Sequence, residues 1–92
     1  MTSQLYKANG EISNVEPENG KAFSLNEMQR YVGGYIEITM LSPRRSLVCN
    51  EEGRLLNLQV NSNATALYQG SRANITTVLV GDVLICDDNL IQ

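Results

Sequence analysis

The sequence predicts an α+β fold, with an antiparallel sheet of five or six strands, a main helix at about residues 25–32 and a second short helix at about 62–69, the helices covering a face of the sheet. Three observations carry this prediction. "AFSLNEMQRYVGG" contains one complete helix with its start and stop signals. "YIEITML", "SLVCN", "RLLNLQV" and "TTVLVGDVLICDD" are strand-length runs of β-branched and aliphatic residues. Every proposed connection is short enough to leave neighbouring elements antiparallel.

In "QLYKANGEISNVEP", two short alternating runs flank Asn9-Gly10, predicting strands near 4–8 and 11–15 joined by a two-residue type I′ turn. The main helix follows. Ser24 is its N-cap, Glu27 completes a capping box, and Phe23 against Met28 forms the hydrophobic staple. Leu25, Met28 and Val32 share one face, and Tyr31 lies at its edge. Glycine loops that cradle phosphate precede a helix. Gly33 and Gly34 instead follow one, where Gly33 suits the left-handed residue that ends a helix and Gly34 suits a chain reversal.

"YIEITM" alternates, with Tyr35, Glu37 and Thr39 on one side and Ile36, Ile38 and Met40 on the other, as in a half-exposed antiparallel strand. Pro43, Glu52-Gly53 and Gly81-Asp82 punctuate the strand-rich half. Asn61 or Ser62 caps the second helix, which carries Ala64, Leu67 and Tyr68 and ends at Gly70. "QGSRANI" has the composition of an exposed loop.

A chain of 92 residues is sized for a single domain spanning 1–92. A net charge of -3 and a pI near 4.7 lack the basic footprint of DNA or RNA binding, so no nucleic acid polymer is expected as a partner. No apolar run approaches a membrane span, and the N-terminus has no basic stretch followed by an apolar one. The expected setting is the cytoplasm, with no membrane partner. Cys49 and Cys86 each close an apolar run before a polar turn and are read as free thiols, a disulfide requiring those strand ends to be neighbours.

Without histidine or a CxxC pair, no zinc or other metal site is expected. No cofactor is assigned. A nucleophile would lack its usual imidazole base, so no catalytic residue and no enzyme is expected. The paired acids Glu51-Glu52 and Asp87-Asp88 read as turn residues, because consecutive strand positions point to opposite faces. Arg44 and Arg45 are the densest positive charge, on a hairpin loop where a guanidinium can fork onto a carboxylate or phosphate. Tyr31, Tyr35 and Tyr68 can stack on a planar ligand or cover the core with the hydroxyl in water. Asn61 and Asn63 can meet a base edge, but capping explains them more simply.

"YKANGEISNVEPENGKAFSLNEMQ", "VGGYIEI", "LVCNEEGRLLNLQVNSNATALY" and "VGDVLICD" resemble a family of small uncharacterised proteins common in bacteriophages and mobile elements of gut bacteria. The resemblance covers nearly the whole chain and brings no catalytic residue with it. By analogy with other small phage proteins, it implies an anti-defence role, as a sponge for the nucleotide signals of bacterial immunity. The expected function is therefore sequestration of a small anionic, nucleotide-like ligand. The alternative is a module that inhibits or regulates a host protein. The expected pocket is lined by Tyr31, Gly34 and Tyr35, using backbone N–H groups at the glycine corner, with Arg44 or Arg45 supplying charge from the same or a second subunit. A homodimer or higher oligomer is expected, because the apolar "LIQ" terminus suggests an uncovered edge strand or sheet face.

Overall fold

The computed structural model describes residues 3–91. In chain order it contains β1 (Ser3–Tyr6), β2 (Ile12–Val15), α1 (Leu25–Val32), β3 (Ile36–Ser42), β4 (Arg45–Asn50), α2 (Ser62–Ser71) and β5 (Val83–Asp87), then a 3-10 turn at Asp88–Leu90. The strands form one five-stranded antiparallel sheet in the order β2-β1-β5-β4-β3, so the α+β class holds.

The last strand in sequence enters the middle of the sheet, between β1 and β4. This explains why "VLICD" and "SLVCN" are continuously apolar rather than alternating: both of their faces are covered. On one face, Val48, Leu84 and Cys86 pack with Phe23, Met28 and Val32 around α1. On the other, Leu47, Cys49, Val83 and Ile85 pack with Leu41, Leu79 and Ala64 of α2. The two helices thus lie on opposite faces instead of covering one face together.

Helix α1 has the expected bounds because both ends are capped. Ser24 Oγ accepts from the Glu27 N–H at 3.1 Å, and Gly33 adopts φ +81°. Only half of the capping box forms. The Glu27 carboxylate is buried and accepts from the Glu18 N–H at 3.2 Å and from the Tyr31 hydroxyl at 3.3 Å, rather than reaching back to Ser24. Leu25, at the first helical position, is 53% exposed and does not join Met28 and Val32 in the core. Helix α2 passes through Gly70 to Ser71, whose hydroxyl donates to the Tyr68 carbonyl at 2.6 Å and closes the last turn.

Three local expectations are corrected. The first hairpin uses a turn across Ala8-Asn9, with the Gly10 N–H donating to the Lys7 carbonyl at 3.0 Å and Gly10 at φ +98°. This is the longer loop with a left-handed glycine after the turn, not the two-residue type I′ turn, because Asn9 keeps a negative φ. "RLLNLQV" is not a strand. Its backbone turns repeatedly, through Leu56 N–H to Glu52 C=O at 2.9 Å and Leu58 N–H to Gly53 C=O at 3.0 Å, and Asn57 is left-handed at φ +55°. Its leucines do not alternate, and Leu55 is 85% exposed. From "TTVLVGDVLICDD" only Val83–Asp87 is a strand; upstream, Val80 makes a single bridge to Val60.

The apolar tail does not form an open edge. Leu90 and Ile91 pack against the α1-side core, and Ile91 bridges to Phe23; Gln92 lies outside the described residues.

Candidate functional site

Strand β3 separates the two halves of the expected pocket. Tyr31, Gly34 and Tyr35 precede it, and Arg44 and Arg45 follow it. At ~3.3 Å per residue, its length sets the two groups roughly 20 Å apart in one chain. A single chain therefore does not bring them together.

The glycine corner is structural in detail. The Gly33 and Gly34 N–H groups both donate to the Gln29 carbonyl, at 2.8 and 3.1 Å, so both are engaged in ending α1 instead of facing a ligand. A Cβ at Gly34 would lie 3.0 Å from Asn50 Nδ2, the atom that donates to the Val32 carbonyl at 3.1 Å. Gly34 is thus the space through which Asn50 closes the helix end. The Tyr31 ring meets Phe23 edge-on at 6.3 Å. Burial, reinforced by the Glu27 charge, raises the Tyr31 hydroxyl above its ordinary pKa. Tyr35 is 64% exposed.

At the other end of β3, Pro43 and Arg44 occupy the hairpin turn between the paired residues Ser42 and Arg45. Arg44 has φ +73°, which suits the third position of a type II turn but costs a non-glycine residue roughly 1–2 kcal/mol. The two arginines differ in their surroundings. Arg44 is exposed, whereas Arg45 Nη1 donates to Asp87 Oδ1 at 3.0 Å. The Ser46 hydroxyl donates to the Asp88 carboxylate, and the Asp88 N–H donates to the Arg44 carbonyl at 2.8 Å. The acids read as plain turn residues are therefore partners of this loop, a pairing made by β5 lying beside β4.

Arg45 also lines a groove of about 670 Å³ between α2 and the sheet. A bulge builds its floor. Met40 pairs with Ser46 and Ser42 pairs with Arg45, leaving Leu41 as the extra residue, buried with Ile85 in the α2-side core. Tyr6 and Gln4 of β1 form one wall, and Ala66 and Leu67 of α2 form the other. Among the described residues that line it, Arg45 is the one that carries a charge. Of the residues expected at a site, only Arg45 lies here. The rest of the groove was not legible in sequence, since its residues come from four separate segments and most are small or apolar.

Cys49 and Cys86 are free and buried, on opposite faces of the sheet, which rules out the close Cβ approach a disulfide needs. Burial raises both thiols to about 11; Glu37 adds to the effect at Cys49, while Arg45 opposes it at Cys86. A raised thiol pKa favours the folded state until the unfolded thiol ionises. Stability should therefore hold below about pH 9 and fall as pH rises from about 9 towards 11. Urea midpoints measured across that range, compared with a variant carrying both Cys→Ser changes, check this expectation.

Among the described residues, no group of three His, Cys, Asp or Glu is placed to hold a metal, and no helix is long and apolar enough to cross a membrane. Together the fold and the groove define a small antiparallel-sheet protein with a helix on each face and a concavity beneath the second helix. Residues 5–90 match the model of the family described as domain of unknown function (DUF3846), and the chain belongs to that family. No curated protein and no solved structure matches it.

Proposed function

We propose that this chain is a non-enzymatic binding protein that sequesters a small anionic ligand in the groove between α2 and the sheet. The observation carrying the proposal is a concavity with an apolar floor whose one charged lining residue, among the described residues, is Arg45. Its volume falls within the range of small-molecule sites, roughly 300–1,000 Å³. The Tyr6 ring and the Leu41 and Ile85 side chains suit a planar or apolar body, and Arg45 suits one negative charge. A cyclic nucleotide with a single phosphodiester charge is the simplest nucleotide of that description. Polyphosphates fit less well, because one arginine already beside Asp87 offers little excess charge. The resemblance to small proteins of phages and mobile elements favours a role as a sink for immune nucleotides over a metabolic one.

Titration calorimetry tests the proposal with a panel of cyclic mononucleotides, cyclic dinucleotides and ADP-ribose derivatives. At least one should bind at one per groove, and Ala66→Trp should abolish its heat. Ala66 is exposed on α2, so a bulky residue there blocks the groove without entering the core. Absence of heat with every member removes the nucleotide reading and leaves the host-protein alternative. Unchanged binding by Ala66→Trp removes the groove.

A further inference from the structure

We propose that the free edge of β3 pairs with β3 of a second copy of this chain, antiparallel about a two-fold axis at Ile38. This inference is independent of the ligand proposed above. The Glu51 N–H donates to the Tyr35 carbonyl at 2.8 Å, which sets the ladder so that Tyr35, Glu37 and Thr39 face β4 with their backbone groups. Ile36, Ile38 and Met40 therefore present their N–H and C=O groups outward. Arg72 Nη2 donates to the Met40 carbonyl at 3.1 Å, as that direction requires.

An open edge of this kind invites pairing unless it is short, charged or covered. The opposite edge, β2, has only four residues, with Ser13 and Asn14 at its centre. Strand β3 has seven residues, and two of its outward positions are apolar and open: Ile38 is 46% exposed and Met40 56% exposed. The α2 side of this edge carries the polar residues Glu37 and Thr39, and Arg72 reaches the edge from the end of α2.

A second copy fits this edge because its pattern is self-complementary. With Ile38 opposite Ile38, each Ile38 N–H donates to the other copy's Ile38 carbonyl, and Ile36 exchanges bonds with Met40. The three apolar side chains then form one ladder on the α1 side. On the α2 side, Glu37 falls opposite Thr39, next to the Met40 carbonyl where Arg72 of the other copy sits. Each subunit thus meets Glu37 with Arg72, and neither residue has an ion pair among the described residues of its own chain. Sliding one strand by two residues, the smallest shift that keeps its outward N–H and C=O groups in phase, sets Glu37 opposite Glu37, like charges face to face, which favours the Ile38 register.

Sedimentation equilibrium of the full chain tests the pairing. The parent should show twice the monomer mass at about 100 µM, a concentration where a micromolar dimer is populated. Ile38→Lys sets two ammonium groups opposite each other and should raise the dissociation constant at least roughly tenfold, with the far-ultraviolet spectrum unchanged. Arg72→Glu and Glu37→Arg should each weaken the dimer, and the two together should restore it. A structural role for either residue would not produce that restoration. In Ile38→Cys, oxidation should cross-link the two copies, because residues directly opposite in such a pair lie about 5.5 Å apart. A parent that stays monomeric overturns the proposal. So does a dimer indifferent to Ile38→Lys, or one that the paired charge reversal does not rescue.

Discussion

Asn61→Ala should destabilise the fold by about 3–5 kcal/mol, among the largest losses available from one side chain outside the apolar core. Asn61 is fully buried and ties together three parts of the chain. Its Oδ1 accepts from the Ala64 N–H at 3.0 Å and caps α2. Its Nδ2 donates at 2.8 Å to both the Tyr6 carbonyl, at the end of β1, and the Gly81 carbonyl, just before β5. Its N–H donates to the Leu79 carbonyl at 2.9 Å. Alanine keeps only the last of these. Loss of the cap costs about 1 kcal/mol, the buried Gly81 carbonyl left without this donor costs about 1–3 kcal/mol, and loss of the bond to the Tyr6 carbonyl, which also pairs with Val83 of β5, adds about 1 kcal/mol. Asn61→Asp separates the contributions, since it keeps the cap acceptor but removes both donors; it should still lose about 2 kcal/mol or more. Urea unfolding of the two variants measures both numbers. A loss under about 1 kcal/mol for Asn61→Asp would mean that the side chain only caps the helix.

Phe23→Ala should cost about 3–5 kcal/mol, on the opposite face of the sheet. Phe23 is fully buried against Met28 and Leu84, stacks edge-on with Tyr31, and its N–H donates to the Leu90 carbonyl at 2.6 Å. The ring therefore joins the approach to α1 with the chain after β5, and truncation leaves a cavity that neither segment can close alone. Burial on two independent faces makes the two losses nearly additive. Their sum approaches the whole stability expected for a domain of this size, about 5–15 kcal/mol, so the double variant should be unfolded in water at 25 °C. Circular dichroism of the double variant checks this, and a folded spectrum would show that the faces compensate for one another.

What was legible in the sequence follows how local each signal is. The bounds of α1 depend on Ser24 and Gly33, which act within a turn of the residues they cap, and both were read correctly. The first hairpin was visible in Asn9-Gly10, yet its turn type depends on whether Asn9 or only Gly10 takes positive φ, which the dipeptide alone does not determine. "RLLNLQV" has strand composition but sits beside Gly53, which packs against Val80 so closely that a Cβ would come within 2.7 Å of its side chain. That long-range contact fixes the segment as turns, and composition carries no trace of it. The unbroken apolar runs of β4 and β5 need cover on both sides, yet the sequence reading set the helices on one face, because no local pattern says which side of the sheet a helix takes.

The candidate site was the least legible part. Tyr31, Gly34 and Tyr35 were neighbours in sequence and stay neighbours, but the strand that follows them carries Arg44 and Arg45 away. Arg45 found a partner in Asp87, forty-two residues on, only because β5 inserts beside β4. The groove that Arg45 lines depends on the extra residue at Leu41, and a bulge of this kind has no sequence signature in "TMLSPRR". Asn61 was read as a cap, which is correct, but its two inner hydrogen bonds join segments that no local pattern links.

The most direct measurement is a heteronuclear NMR titration of the full-length protein with whichever member of the nucleotide panel gives heat. Shifts confined to the groove, at Tyr6, Leu41, Ser42, Arg45, Leu67 and Gly70, are the predicted result, with the Gly33–Tyr35 amides unmoved. Shifts centred on Tyr31 and Tyr35, with the groove residues silent, would contradict binding beneath α2.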